Sequence, residues 1–123
     1  MSNILTLTLL GTTGLLGITL VGYVLREVRS PVLLRRAHLA AGAAALLALL
    51  RAVAQEAAAI PPLPGPTGQL PAGFMACALV LGLLGWVVAR YARQGLTIVL
   101  SLHVCAGFCG LILAAAWVLR PGT

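Results

Sequence analysis

The stretch Ile4–Leu25, ILTLTLLGTTGLLGITLVGYVL, decides the fold of this chain because it contains no charged side chain. An α-helix rises about 1.5 Å per residue, so a run of this length can cross the roughly 30 Å hydrocarbon core of a bilayer. The segment lacks both a basic N-terminal region and a clear cleavage site of small residues, which argues against a removable signal peptide. We therefore predict a retained membrane-spanning helix.

Three further apolar stretches follow the first one, at residues 32–53, 70–89 and 96–119. The whole chain is 61% hydrophobic and only 8% charged, which excludes an ordinary soluble domain. Its 123 residues hold about four spans of roughly 20 residues and leave no room for a separate soluble catalytic domain. The sequence predicts an all-α fold, a four-transmembrane-helix bundle in contact with the lipid bilayer, over residues 1–123.

The arginines indicate how the chain is oriented in the membrane. Two of the eight basic residues lie near one predicted membrane face, at Arg51 and Arg120, and the other six lie near the opposite face, at Arg26, Arg29, Arg35, Arg36, Arg90 and Arg93. Cytoplasmic loops carry the excess of basic residues, so we expect both short turns in the cytoplasm and both termini outside a bacterial-type inner membrane. The arginines form no soluble basic face, so no nucleic-acid partner is expected.

The two halves of the chain share two short motifs in the same order. The sequence GLLG occurs at residues 14–17 and again at 82–85, and the pattern His-x-x-Ala-Gly occurs at 38–42 and 103–107. From the first glycine to the histidine the separation is 24 residues in one half and 21 in the other. These matches predict an internal repeat.

The predicted repeats are residues 1–58 and 70–123, joined by a proline- and glycine-rich linker at 59–69. Each repeat holds two spans, so both enter the membrane in the same sense, as parallel repeats related by an axis along the membrane normal. The histidines His38 and His103 should then lie at the same depth.

His38 and His103, the two histidines of the chain, are the main candidate functional residues. Each is about seven residues inside the cytoplasmic end of its predicted helix, or on the order of 10 Å along the helix axis. An ionisable side chain at that depth is costly unless it faces the protein interior with a partner. If the second and fourth spans are diagonally opposite, the two imidazoles could ligate one haem iron.

Small residues near the histidines favour a flat, bulky ligand. Helix periodicity places Gly42 beside His38 and Gly107 beside His103, and we expect Gly17 and Gly85 at a similar depth on the accompanying helices. No Cys-x-x-Cys-His motif is present, which excludes covalent attachment of a c-type haem. Haem propionates would require cationic partners, and the candidates on that membrane face are Arg35, Arg36, Arg90 and Arg93.

A membrane bundle with two facing histidines resembles four-helix bis-histidine b-type cytochrome membrane subunits, including the haem-carrying anchor subunits of respiratory dehydrogenases. The resemblance implies one haem b, with His38 and His103 as axial ligands of its iron. It also implies one-electron transfer within a larger redox complex, with a partner subunit or a quinone exchanging the electrons. The chain departs from two-haem members, which need four histidine ligands. We do not expect it to be an enzyme on its own.

Two alternatives use the same residues without a haem. In one, glycine and alanine only allow close helix packing, and the histidines hydrogen-bond between helices of a cofactor-free accessory or assembly subunit. In the other, each histidine ligates its own chlorophyll-type pigment in a respiratory or photosynthetic membrane complex.

Other residues carry simpler predictions. Glu27 and Glu56 fall near opposite membrane surfaces, which argues against a catalytic carboxylate pair. Trp117, near the outer end of the last span, is expected to be an aromatic interfacial anchor.

Overall fold

In the computed structural model, residues 2–58, 68–91 and 93–119 are described, and they are almost entirely helical. The four α-helices are α1 (Ser2–Leu25), α2 (Val32–Ala57), α3 (Gln69–Tyr91) and α4 (Arg93–Val118). Each contains a segment that is long and apolar enough to cross a membrane. The prediction of an all-α chain with four potential membrane spans is confirmed.

The helices are longer than the apolar stretches from which they were predicted. α2 continues past residue 53 to Ala57, α3 continues past residue 89 to Tyr91, and α4 begins at Arg93 instead of residue 96. Backbone hydrogen bonding does not stop where charged residues appear, because long polar side chains can extend from a helix end to the interface. The predicted turn at 90–95 is therefore wrong in length, since only residue 92 separates α3 from α4.

The predicted linker at 59–69 is described only at its end. Residues 59–67 lie outside the described residues, whereas Gln69 already belongs to α3. The carbonyl oxygen of Gly68 accepts a hydrogen bond from the Ala72 N–H at 3.2 Å, so Gly68 is at the start of this helix.

The connection from α1 to α2 begins with a tight helix end. Glu27 has a positive φ of 55°. Its N–H donates to the Val24 carbonyl at 3.0 Å, while the Val28 N–H donates to the Tyr23 carbonyl at 3.1 Å. These two bonds define a Schellman motif, in which the left-handed residue is most often glycine. The motif ends α1 and turns the chain towards Pro31, which precedes α2.

The helices form two closely packed pairs. α1 packs along α2 and α3 packs along α4, while smaller contacts join α2 to α3 and α1 to α4. These four contacts place α1 diagonally opposite α3, and α2 diagonally opposite α4. The two histidine-bearing helices therefore face each other across the bundle.

Burial is unevenly distributed along the bundle. The main buried cluster contains residues from all four helices, namely Leu10, Ala45, Leu49, Ala72, Met75, Ala114, Trp117 and Val118. Among the described residues, every buried position lies in the half of the bundle away from the α1–α2 and α3–α4 connections. The half next to those connections, which contains both histidines, is less buried.

A polar contact ties three helices together in the well-packed half. The Gly68 N–H donates to Glu56 Oε2 at 3.3 Å, and the Trp117 indole N–H donates to Glu56 Oε1 at 3.5 Å. Trp117 is only 8% exposed. The prediction that it is an interfacial anchor is wrong, because its indole packs in the core and its N–H is directed to a carboxylate of α2.

Candidate histidine site

The two imidazole rings meet across the bundle diagonal. His38 of α2 and His103 of α4 have ring centroids 6.0 Å apart, and the ring planes are at 84° to each other. Two imidazoles that share one metal ion through nitrogens about 2 Å from it have ring centres about 6 Å apart. The observed separation therefore suits two ligands of a single ion.

The ring of His103 is oriented by the backbone of α3. Its Nδ1 donates a hydrogen bond to the carbonyl oxygen of Ala78 at 2.7 Å. A carbonyl can only accept, so this bond places the proton on Nδ1 and leaves the Nε2 lone pair free. Histidines that ligate metals commonly have their second nitrogen held in this way.

His38 has a different polar environment. Its Nδ1 is buried, and no hydrogen-bond partner for that atom is present among the described residues. The backbone of Thr13 in α1 lies close to the same ring. This nitrogen lies against α1, 3.8 Å from a Cβ built on Gly17, in a place similar to that of His103 Nδ1 against α3.

A glycine lies beneath each imidazole. A Cβ built on Gly17 would be 3.2 Å from His38 Cε1, and one built on Gly82 would be 3.0 Å from His103 Cε1. Contacts this short leave no space for a side chain. The two glycines therefore allow the rings to lie directly against α1 and α3.

The other predicted glycines lie at helix contacts instead of at the rings. A Cβ on Gly42 would meet Thr13 Cγ2 at 3.6 Å, and one on Gly107 would meet Ala78 Cβ at 3.7 Å. Gly42 thus sets the approach of α2 to α1, and Gly107 sets the approach of α4 to α3. Of these helices, α1 carries the Thr13 backbone beside His38, and α3 carries the Ala78 carbonyl beside His103.

Gly85 is one turn away from the position predicted for it. Its nearest neighbour would be Val99 Cγ1 at 3.6 Å, whereas Gly82 contacts the His103 ring. Matching the two GLLG motifs paired Gly17 with Gly85. When the two halves are instead aligned on His38 and His103 without a gap, Gly17 is aligned with Gly82. Each of these glycines precedes its histidine by 21 residues. That equal spacing was the signal in the sequence for Gly82.

The predicted propionate partners lie outside the ring contact. Arg35 and Arg36 are exposed near the start of α2, and Arg35 precedes His38 by about one helical turn. Arg90, at the same end of the bundle, lies over the Trp86 ring with 5.7 Å to its centroid. Arg93 begins α4, but its side chain is outside the described part of the structure.

The donor set fits a haem better than a bare metal ion. The described residues contain no group of three or more His, Cys, Asp or Glu side chains that could hold a metal. A structural zinc site takes four protein ligands, whereas a bis-histidine haem takes only two because the macrocycle supplies the others. Two histidines from different helices therefore form a donor set that fits a haem.

No protein-family model, curated protein or solved structure matches the chain. The assignment of a function therefore depends on the residues and contacts of this chain.

Proposed function

We propose that this protein is a membrane electron-transfer subunit that binds one haem b between His38 and His103. The observation that carries the proposal is the 6.0 Å separation of the two imidazoles, contributed by diagonally opposite helices. His103 presents one free nitrogen because its other nitrogen donates to Ala78. His38 is placed in a similar way, with its Nδ1 against α1 beside Gly17.

Haem b, when bound, supplies a reversible one-electron couple at its iron. The residues of this chain hold and insulate that group. His38 and His103 would hold it, Gly17 and Gly82 allow the two imidazoles to lie against their neighbouring helices, and the apolar helices exclude water. Arg35 and Arg36, at the membrane face nearer His38, provide positive charge for the propionates.

We also propose that the bundle consists of two parallel two-helix repeats. A shift of 65 residues pairs His38 with His103 and Gly17 with Gly82. The same shift pairs the buried residues Leu10 with Met75 and Leu49 with Ala114. It also pairs the glycines of the two helix contacts, Gly42 and Gly107. Agreement at both contact and core positions supports a duplication with the histidines at equivalent sites.

The cellular setting follows from the same proposal. The arginine distribution favours a bacterial-type inner membrane with both termini outside. The histidines would then lie nearer the cytoplasmic face, so one haem could not carry electrons across the whole bilayer. We propose that other membrane subunits of a redox complex, or a quinone, complete the path.

A cofactor-free assembly subunit is the second candidate. It is favoured by the hydrogen bond of His103 to Ala78, which satisfies one ring nitrogen without any ligand. Separate chlorophyll-type pigments would need one histidine each, and they are less compatible with two ring centroids only 6.0 Å apart. A haem-binding subunit and a cofactor-free subunit differ in whether the purified protein is coloured.

Substituting the histidines tests the assignment of the ligands. We expect His38→Ala and His103→Ala each to remove one axial bond, giving a high-spin or empty site in the absorption spectrum. Matched controls are Leu39→Ala and Val104→Ala, because each follows a histidine directly and is 43% or 40% exposed. The controls should keep the low-spin haem spectrum. A spectrum unchanged by both histidine variants would exclude these ligands.

A further inference from the structure

A second polar site lies at the end of α1, separate from the histidines. A groove with a volume of about 450 Å³ is lined by Thr19, Gly22, Tyr23, Arg26 and Val28. Three of these residues lie on one face of α1, Arg26 continues the same spacing directly after the helix, and Val28 belongs to the Schellman turn. A Cβ built on Gly22 would meet nothing within 4 Å, so this glycine leaves the groove open.

The hydrogen-bonding groups of the groove favour an anion. The Arg26 and Val28 N–H groups already donate to the helix, to the Gly22 and Tyr23 carbonyls. The Thr19 hydroxyl donates to the Leu15 carbonyl at 2.8 Å. The remaining strong donors are the Arg26 guanidinium and the Tyr23 hydroxyl, and no carboxylate lines the groove. A guanidinium beside a hydroxyl is a suitable pair of donors for a phosphate.

The position of the groove identifies the source of the phosphate. Arg26 directly follows a helix that can span the membrane, so the groove reaches from the interface into the outer part of the hydrocarbon region. Leu15 and Ile18 continue the same face of α1 towards the membrane centre and are 69% and 68% exposed. A headgroup bound at Arg26 would therefore have an apolar surface beneath it for its acyl chains.

We propose that this groove binds the phosphate headgroup of an anionic phospholipid. The chain's charge of +6 and the arginines of the α1–α2 connection complement a negative headgroup. The site does not depend on haem binding, because neither histidine lines the groove.

Native mass spectrometry of the detergent-solubilised protein with added phosphatidylglycerol tests this site. We expect one phosphatidylglycerol per chain to remain bound, with no comparable retention of phosphatidylcholine. Arg26→Gln should weaken this binding by about fivefold, in line with the contribution of one arginine to anionic lipid binding. Gly22→Leu should weaken it as well, because the leucine side chain would fill the groove.

Matched variants separate the groove from general charge. Arg29→Gln removes an exposed arginine of the same connection that does not line the groove, and Gly11→Leu fills open space elsewhere on α1. Both should bind phosphatidylglycerol as the unmodified protein does. If Arg26→Gln does not fold, Tyr23→Phe removes only a hydroxyl and should weaken binding by about threefold.

Equal losses in Arg26→Gln and Arg29→Gln would overturn the proposal, because net charge alone would then explain binding. Equal retention of phosphatidylcholine, or displacement of phosphatidylglycerol by inorganic phosphate, would also overturn it. Equal retention of phosphatidylcholine would show that the groove does not select an anion. Displacement by inorganic phosphate would show that the acyl chains do not contribute to binding.

Discussion

At the scale of single residues, Gly17 and Gly82 have the most specific role in the histidine site. Each lies within 3.2 Å of an imidazole carbon, measured from a Cβ built on the glycine. A methyl group at either position would require the ring to shift by a few tenths of an ångström. In the proposed haem site, ring position would control ligand geometry, so we expect these glycines to act as positioning residues.

We therefore expect Gly17→Ala and Gly82→Ala each to weaken haem binding by about tenfold, the equivalent of about 1.4 kcal/mol and within the usual cost of overpacking. Haem titration of the apoprotein measures this change. The same variants should alter the electron paramagnetic resonance signal of the bound haem, which reports axial ligand orientation. A purely structural role would lower stability without moving that signal.

Gly11→Ala and Gly73→Ala are matched controls in α1 and α3, since a Cβ at either position would meet nothing within 4 Å. They should bind haem like the unmodified protein. If all four alanine variants bound haem equally, the close contact between glycine and imidazole would have no part in the site.

At this scale, the two histidines selected from the sequence lie close together in the structure, whereas Gly82 and not Gly85 contacts the His103 ring. Two intramembrane histidines at equivalent motif positions were sufficient to select His38 and His103. The choice of Gly85 over Gly82 came from matching short motifs, whereas contact depends on helix register. The hydrogen bond from His103 Nδ1 to the Ala78 carbonyl could not be predicted, because the sequence alone does not give the position of α3 relative to α4.

At the scale of helices, Gly42 and Gly107 determine how closely the members of each pair pack. The contacts to Thr13 and Ala78, at 3.6 and 3.7 Å from built Cβ atoms, are ordinary van der Waals distances. A methyl group therefore fits at both positions, but a larger side chain would separate the helices. Small residues commonly allow such close approach in membrane bundles.

We expect Gly42→Leu and Gly107→Leu to destabilise the bundle by roughly 1–3 kcal/mol and to reduce haem occupancy. Thermal unfolding in detergent, followed by circular dichroism, measures the first effect. Gly42→Ala and Gly107→Ala serve as controls and should remain close to the unmodified protein. Leucine variants with unchanged stability and a full haem spectrum would contradict the helix contacts seen at these glycines.

Helix bounds could be predicted only approximately. Apolar composition identified all four spans because the bilayer requires a long run of apolar residues. Four of the eight helix ends were missed by two to four residues, since a helical backbone continues into polar and charged segments, and the other four agree to within one residue.

At the scale of the whole molecule, packing divides the bundle into two regions. The half away from the α1–α2 connection contains the buried cluster and the contact of Glu56 with Gly68 and Trp117. The histidine half is less buried. This division agrees with a rigid end that holds the helices together and an end that can bind a ligand. The sequence could not predict it, because Glu56 and Trp117 are 61 residues apart in the chain.

Gly68→Ala tests whether the well-packed end stabilises the bundle. A Cβ at this position would be 2.6 Å from Val53 Cγ2 and 2.7 Å from Trp117 Cζ2. We expect a loss of roughly 1–3 kcal/mol in stability, seen as a lower thermal unfolding midpoint in detergent. The haem spectrum should not change, because the substitution is far from the histidines. A midpoint equal to that of Gly73→Ala would contradict this account.

An absorption spectrum of the purified, unmodified protein tests the proposal that the two histidines ligate one haem. Spectra are recorded in the oxidised and dithionite-reduced states, with the extracted pigment quantified against protein. We predict sharp reduced haem b bands and one haem per chain. A colourless, fully helical preparation that also fails to bind added haem would contradict the claim, and so would chlorophyll-type bands.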